Sequence, residues 1–364
     1  MSDHRHLLLD TVGRMLSECC GPDVVGAAEG SWPADLWRVV EAAGLPLAAV
    51  DEAAGGGGAT VADALTVARL AASYAAPLPL GETGLLAGHL LTTAGLAVPS
   101  GPLAAAWTGV EVRLDGGRCV LSGRADRLPW GRVASRIAVL AEGADGLHVC
   151  SVEPSAGTVE VGSNVAGEPR DSVVFHGVEI AAGDHARAAA EVTRAALDGR
   201  GALLRAAQIA GAITAATRLT VIYAGERQQF GRPIAKFQAV GQQLALLAAE
   251  EAAANAAVEL ALAALDAGRD GVDEIAAAKV RAGEAAGSAA EIAHQVHGAI
   301  GFTREHRLHH LTRRLWAWRD EYGSEAIWAR RLGERALTAG GNATWTMITD
   351  TSRSAAPVAS GATT

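Results

Sequence analysis

The chain has 364 residues, 40 acidic against 31 basic side chains, a net charge of −9, and an apolar content of 49% of which aromatic residues make up only 4% of the chain. Small aliphatic side chains must therefore fill most of the core, and the acidic balance excludes a protein whose main partner is nucleic acid or an anionic membrane. Four cysteines, Cys19, Cys20, Cys119 and Cys150, form no Cys-x-x-Cys pair and are too few to staple so long a chain, which points to a reducing, cytoplasmic setting.

In chain order, the first hundred or so residues read as helices. A leucine-rich opening at 4–19 carries no signal-peptide pattern; a short helix follows at 33–43 with proline in its first turn, and another at 60–74. The glycines at 55–58 form a break between helices; no Gly-x-x-x-x-Gly-Lys pattern accompanies them, so a surface turn is expected rather than a phosphate cradle. The uncharged stretch 83–110 is interrupted by Gly88, Gly95, Pro99, Gly101 and Pro102 and reads as a helix end and loop, not a membrane span.

From about 102 the pattern changes to alternating and β-branched runs. Segments 110–114 and 118–122 flank Asp115-Gly116-Gly117, and 137–142 and 147–152 flank Ala144-Asp145-Gly146; both have hairpin-turn chemistry. Runs at 159–161, 172–175 and 178–180 extend the series into a small antiparallel sheet. Helices return near 185. Leu203, Ala207, Ala210, Thr214, Thr217 and Val221 share one face of a long helix that ends at Gly231-Arg232-Pro233. Val240, Leu244, Leu247, Ala254, Val258, Leu262 and Leu265 mark the next, a third spans about 273–297, and at least two more reach 337. The expected division is an N-terminal helical domain (1–100), a middle β domain (101–183), a C-terminal helical bundle (184–339) and a disordered tail (340–364). His294, His297, His306, His309 and His310 crowd one region, but neither cysteine nor an arranged carboxylate completes a familiar metal site, and none is expected. Arg313, Arg314 and Arg319 around Trp316 and Trp318 read as ion pairs and subunit packing.

Two segments carry chemistry. In Glu226-Arg227-Gln228-Gln229-Phe230-Gly231-Arg232-Pro233, continuing to Phe237-Gln238, Arg227 offers a planar cation suited to a diphosphate, while Phe230 and Gln238 offer a packing face and an amide. In Gln295-Val296-His297-Gly298-Ala299-Ile300-Gly301-Phe302, the small pair Gly298-Ala299 lets backbone approach a phosphate. Together with Asp171-Ser172-Val173-Val174-Phe175 at the end of the β region, these segments resemble the signatures of the acyl-CoA dehydrogenase family over nearly the whole chain to 337.

That resemblance implies a mainly α fold with N-terminal helices, a middle barrel-like β domain and a C-terminal four-helix bundle. It implies FAD, with Arg227, Phe230, Gln238, Gln295, Gly298 and Ala299 contacting its ADP half across a subunit interface, and Trp130 and Ser324 near the flavin. The reaction implied is α,β-dehydrogenation of an acyl-CoA, with electrons leaving to an electron-transfer flavoprotein. The family's base is a glutamate at one of two positions, which correspond here to Tyr322 and Gly201; neither is a carboxylate. The loop that meets the flavin ring is also missing, because Ala106-Trp107-Thr108-Gly109 runs almost directly into the first hairpin. The pattern resembles one subunit of an actinobacterial α2β2 acyl-CoA dehydrogenase acting on a sterol side chain or another branched or fatty acyl-CoA, the subunit that holds FAD without supplying the base. Two alternatives stay open: a self-sufficient enzyme, self-associating as a dimer or tetramer, with a relocated base (Glu321, Glu325 or Asp198), and a flavin-free structural or regulatory paralogue.

Overall fold

The computed structural model describes residues 3–116 and 118–341. The N-terminal helices are α1 (Asp3–Cys19), α2 (Pro22–Ala27), α3 (Ala34–Ala42) and α4 (Val61–Ser73). α4 starts where its cap chemistry says it should. The Thr60 hydroxyl accepts from the Asp63 N–H at 3.1 Å, and the Asp63 carboxylate accepts from the Thr60 N–H at 3.2 Å, a reciprocal capping box. Arg5 donates to the same carboxylate at 2.6 Å and ties α1 to α4. The glycine run is a tight turn: a side chain on Gly56 would come within 2.1 Å of the Val50 carbonyl oxygen.

Stretch 83–110 is more structured than a helix end and loop. A π-turn, Glu82–Gly88, buried throughout, runs into α5 (His89–Thr93), and a strand, β1 (Leu103–Ala106), follows. A continuous apolar run carries no period, so its sequence did not separate helix from buried strand.

The sheet continues with β2 (Val110–Asp115), β3 (Arg118–Pro129), β4 (Arg136–Gly143), β5 (Gly146–Val152), β6 (Thr158–Glu160), β7 (Arg170–Ile180) and β8 (His185–Arg187). Both expected hairpins form, β2 with β3 and β4 with β5, in the order β6-β7-β3-β2-β4-β5-β8. The sheet is not wholly antiparallel: β1 lies parallel to β4 from Leu103↔Arg136 to Ala106↔Val139, and Glu111↔Glu142 is a parallel contact between β2 and β4. Side chains alternate along these strands. Leu103, Ala105, Ala138 and Leu140 enter the helical core, while Ala104, Ala106, Ile137 and Val139 enter a second core inside the sheet.

The bundle comprises α6 (Arg194–Glu226), α7 (Gln238–Asp266), α8 (Val272–His297), α9 (Leu308–Asp320) and α10 (Glu325–Ala339). α6 corrects the one-face expectation. Over 201–213 every residue is buried, because α4, α7, α8 and α9 surround it, whereas Thr214 and Val221 are exposed. The tail expected to be disordered lies, beyond 341, outside the described residues. No helix among the described residues is long and apolar enough to cross a membrane.

The α4–α6 crossing depends on Gly211, where a Cβ would stand 1.9 Å from the Arg69 carbonyl oxygen of α4. Gly211→Ala should cost about 1–3 kcal/mol through forced separation of the helices, read as a lower thermal midpoint.

Candidate active site and nucleotide-facing surface

α9 ends at Asp320 with Glu321 as its C-cap, and the chain turns through Tyr322 and Gly323 before α10 begins. Tyr322 has φ +56° and Gly323 +95°, so an aromatic residue occupies the left-handed region that usually favours glycine. Two contacts hold the turn. Trp328 Nε1–H donates to the Tyr322 carbonyl at 2.9 Å, and the buried Lys279 ammonium donates to the carbonyls of Trp318, at 3.2 Å, and Arg319, at 2.6 Å.

This turn brings the two expected base positions together. A Cβ on Gly201 would lie 2.5 Å from Cγ of Tyr322, so the phenol ring fills the space that a side chain at 201 would need. On another side of that ring Trp107 stacks at 5.5 Å with an interplanar angle of 17°, and the Arg205 guanidinium lies 5.3 Å from the ring centroid. The Tyr322 hydroxyl is buried with no hydrogen-bond partner among the described residues. Burial raises its pKa beyond the usual phenol range despite the nearby Arg205, so it stays protonated and does not act as a base near neutral pH.

Glu321 and Glu325 are not free bases either. Glu321 is buried, with one oxygen accepting from Arg170 Nε at 2.6 Å and the other from Arg205 Nε at 2.7 Å and Arg170 Nη2 at 3.0 Å. Burial alone would raise its pKa; Arg170 and Arg205 overcome this and hold it down to about 2. Glu325, in the first turn of α10, accepts from Arg319 Nε at 2.9 Å and packs against Gly283 of α8. Asp198 is different. It lines a cavity of about 330 Å³ together with Trp107, Thr108, Arg127, Leu128 and Tyr322, accepts from Trp107 Nε1 at 3.0 Å, and pairs with Arg331 at 3.3 Å.

The other expected site residues lie off this cavity. Trp130 belongs to packing: its buried indole meets the edge of Trp32 at 5.6 Å, and the aromatic residue lining the cavity is Trp107. Its place follows from the alternation of β1, where Leu103, Ala105 and Trp107 all point into the helical core. Ser324 is half-buried at the N-cap of α10, its carbonyl accepting from Ile327 and Trp328. Arg227, Phe230, Gln238, Gln295, Gly298 and Ala299 are all exposed. Phe230 and Gly231 have φ values of +50° and +78° at the tip of a tight hairpin that pairs Gln229 with Arg232. The Phe230 ring is 92% exposed, and Arg227 has no ion pair or side-chain hydrogen bond among the described residues. Gly298 has φ +65° and ψ −146°, open only to glycine.

The histidines form a looser group. His294 stacks on Phe302 at 4.1 Å and bonds Thr312, while His297 stacks on Tyr223 at 4.6 Å. His309 and His310 lie with Glu29 so that one ligand-type atom from each falls within 4.8 Å of the others; Glu29 also pairs with Arg313.

The description "Acyl-CoA dehydrogenase, C-terminal domain" matches residues 190–337. The chain is 30% identical over 312 residues to acyl-CoA dehydrogenase IpdE2 of Mycolicibacterium smegmatis, covering 85% of this chain and 91% of that protein. Its fold matches the Tcur3481-Tcur3483 steroid ACAD with a TM-score of 0.82 at 26% identity, over 94% of this chain and 99% of that one. It also matches the ChsE4-ChsE5 complex of Mycobacterium tuberculosis with a TM-score of 0.84 at 23% identity, over 93% and 98%.

Glu321 generates an acid-sensitivity prediction. Its folded pKa lies below its ordinary value of 4.5, so its contribution is present above about 4.5 and is lost as pH falls towards 2. Glu321→Gln leaves two buried guanidinium groups without their shared carboxylate and should cost about 3–5 kcal/mol near neutral pH, with a flatter acid limb in denaturation titrations. With the arrangement and its relatives taken together, this chain belongs to the acyl-CoA dehydrogenase family, oxidoreductases that act on CH–CH bonds.

Proposed function

We propose that this chain is the FAD-holding, non-catalytic subunit of a heteromeric acyl-CoA dehydrogenase. The observation that carries the reading is Tyr322 seated on Gly201: both positions where the family's carboxylate is expected are filled by one half-buried phenol ring against a hydrogen atom. Bound FAD supplies the hydride acceptor in this chemistry, and the base must be a carboxylate close to the α-carbon of the thioester.

The residues fit FAD at one end only. Arg227 is exposed and unpaired among the described residues, suited to a diphosphate, and Gly298-Ala299 leaves backbone open to close approach. At the ring end the short link after β1 carries Trp107, stacked on Tyr322, in place of the family's loop. In this reading Arg227, Phe230, Gln238, Gln295, Gly298 and Ala299 grip a cofactor whose ring lies in the partner subunit. The strained, exposed Phe230 hairpin supports it, since a bare aromatic ring in a left-handed turn gains most from being covered. Likeness to the two-chain Tcur3481-Tcur3483 steroid ACAD supports a heteromer and a steroid-derived or branched acyl-CoA. Electrons would pass to an electron-transfer flavoprotein.

A second reading has its own observation: Asp198 is a carboxylate in the cavity that Tyr322 borders. Expressed alone, the chain should be colourless and inactive with acyl-CoA and an artificial acceptor; with its partner it should be yellow and active. A yellow, active chain purified alone overturns the proposal. In the complex, Arg227→Ala should strip most of the flavin absorbance, while Tyr322→Phe should leave turnover unchanged, because the hydroxyl it removes has no hydrogen-bond partner among the described residues. Asp198→Asn should change turnover less than about threefold; a loss of about a hundredfold or more, in the range of a deleted general base, transfers that role to Asp198.

A further inference from the structure

α6 presents two faces at its N-terminal end. Asp198, Gly201 and Arg205 face Tyr322 and Glu321, whereas Ala196, Arg200 and Leu203, spaced four and three residues apart, line a separate cavity on the opposite side. That cavity, about 440 Å³, lies among α4, the π-turn, α6 and the connection from α7 to α8, and its walls are largely apolar, with Leu65, Leu85, Leu203 and Ile275 among them. Arg200 is half-buried at its edge, and no described residue gives its guanidinium a hydrogen bond or ion pair.

In the elements that form the cavity, Arg69, Arg194, Arg205 and Arg269 each have a carboxylate partner, whereas Arg200, like Arg218 farther along α6, has none among the described residues. The other charges on the wall are committed or weakly placed to serve Arg200. Asp266 pairs with Arg5, Arg269 with Glu274, and Asp270 accepts from the Val272 N–H at 3.3 Å. Nearby His89 stays neutral at ordinary pH, burial and then Arg200 pushing its pKa down to about 4. Desolvation lowers the pKa of Arg200 with no carboxylate to offset it, the condition in which a cation gains most from an incoming anion.

The geometry points to a binding site for a monocarboxylate with a flexible apolar tail, its head on Arg200 and its tail along Leu65, Leu85, Leu203 and Ile275. The site is on the far side of α6 from Tyr322, so occupancy requires neither flavin nor turnover.

Octanoate is the probe, with 1-octanol as its uncharged counterpart, titrated calorimetrically into the full chain purified as it expresses. Octanoate should bind saturably and more tightly than octanol. Arg200→Met keeps the length of the side chain and removes the charge; it should weaken octanoate by at least about tenfold, leave octanol unchanged, and raise the thermal midpoint of the ligand-free chain. Ala196→Trp, at an exposed position on the rim, should block both ligands while the fold persists. Equal octanoate affinity in the parent and Arg200→Met overturns the site, as does binding that survives Ala196→Trp or no saturable binding in the parent. None of these outcomes bears on the subunit role, which is read from flavin and turnover.

Discussion

The rest of the molecule is arranged around one buried carboxylate, Glu321, shared between Arg170 and Arg205. The pairing extends in both directions. Arg205 also meets Glu82 at 2.7 Å, Arg170 meets Glu168 at 3.0 Å, and Glu168 meets Arg314 at 3.1 Å, giving an alternating chain of three carboxylates and three guanidinium groups. Equal numbers of each sign are what make such burial tolerable. Each ion taken from water costs several kcal/mol by itself, and only close, hydrogen-bonded partners offset it. The chain of charges runs from the π-turn through α6 and the α9–α10 turn to β7 and α9, so N-terminal helices, sheet and bundle are joined by one set of polar contacts.

This arrangement also decides what the neighbouring position can be. Next to the pinned Glu321, Tyr322 takes a left-handed turn and its ring lies against Gly201. A larger residue at 201 would collide with that ring, and the ring in turn supports Trp107. The three residues form one packed unit: the phenol fills the space beside Gly201 without placing a charge there, and the Trp107 indole stacks over it.

Much of this was legible in the sequence, and the misses have physical reasons. Period-two alternation and Gly-containing turns located both sheet hairpins, and the Arg227 and Gln295 segments were readable because they depend on residue type at fixed spacing. β1 was lost because four small apolar residues, Leu103 to Ala106, buried on both faces carry no period. α6 was read as one-faced because its alanines hide the fact that they are buried all round. In the site, Trp107 was seen only as the end of a missing loop, and its role needed the strand register that turns it inward. Arg170, Arg205 and Glu82 are far apart in sequence and share no motif, so only the fold unites them.

α6 emerges as the element through which two kinds of demand are separated. On one side its residues are either paired, as Arg205 is, or absent, as at Gly201, so that side is built for fixed packing. On the other, Arg200 borders a largely apolar cavity and has no ion pair among the described residues. The side that faces Tyr322 is thus closed by packed side chains, while the opposite side sets a cation at the edge of an apolar cavity. In the proposed reading, binding therefore rests on the exposed Arg227 surface and the cavity behind α6 rather than on positions 201 and 322.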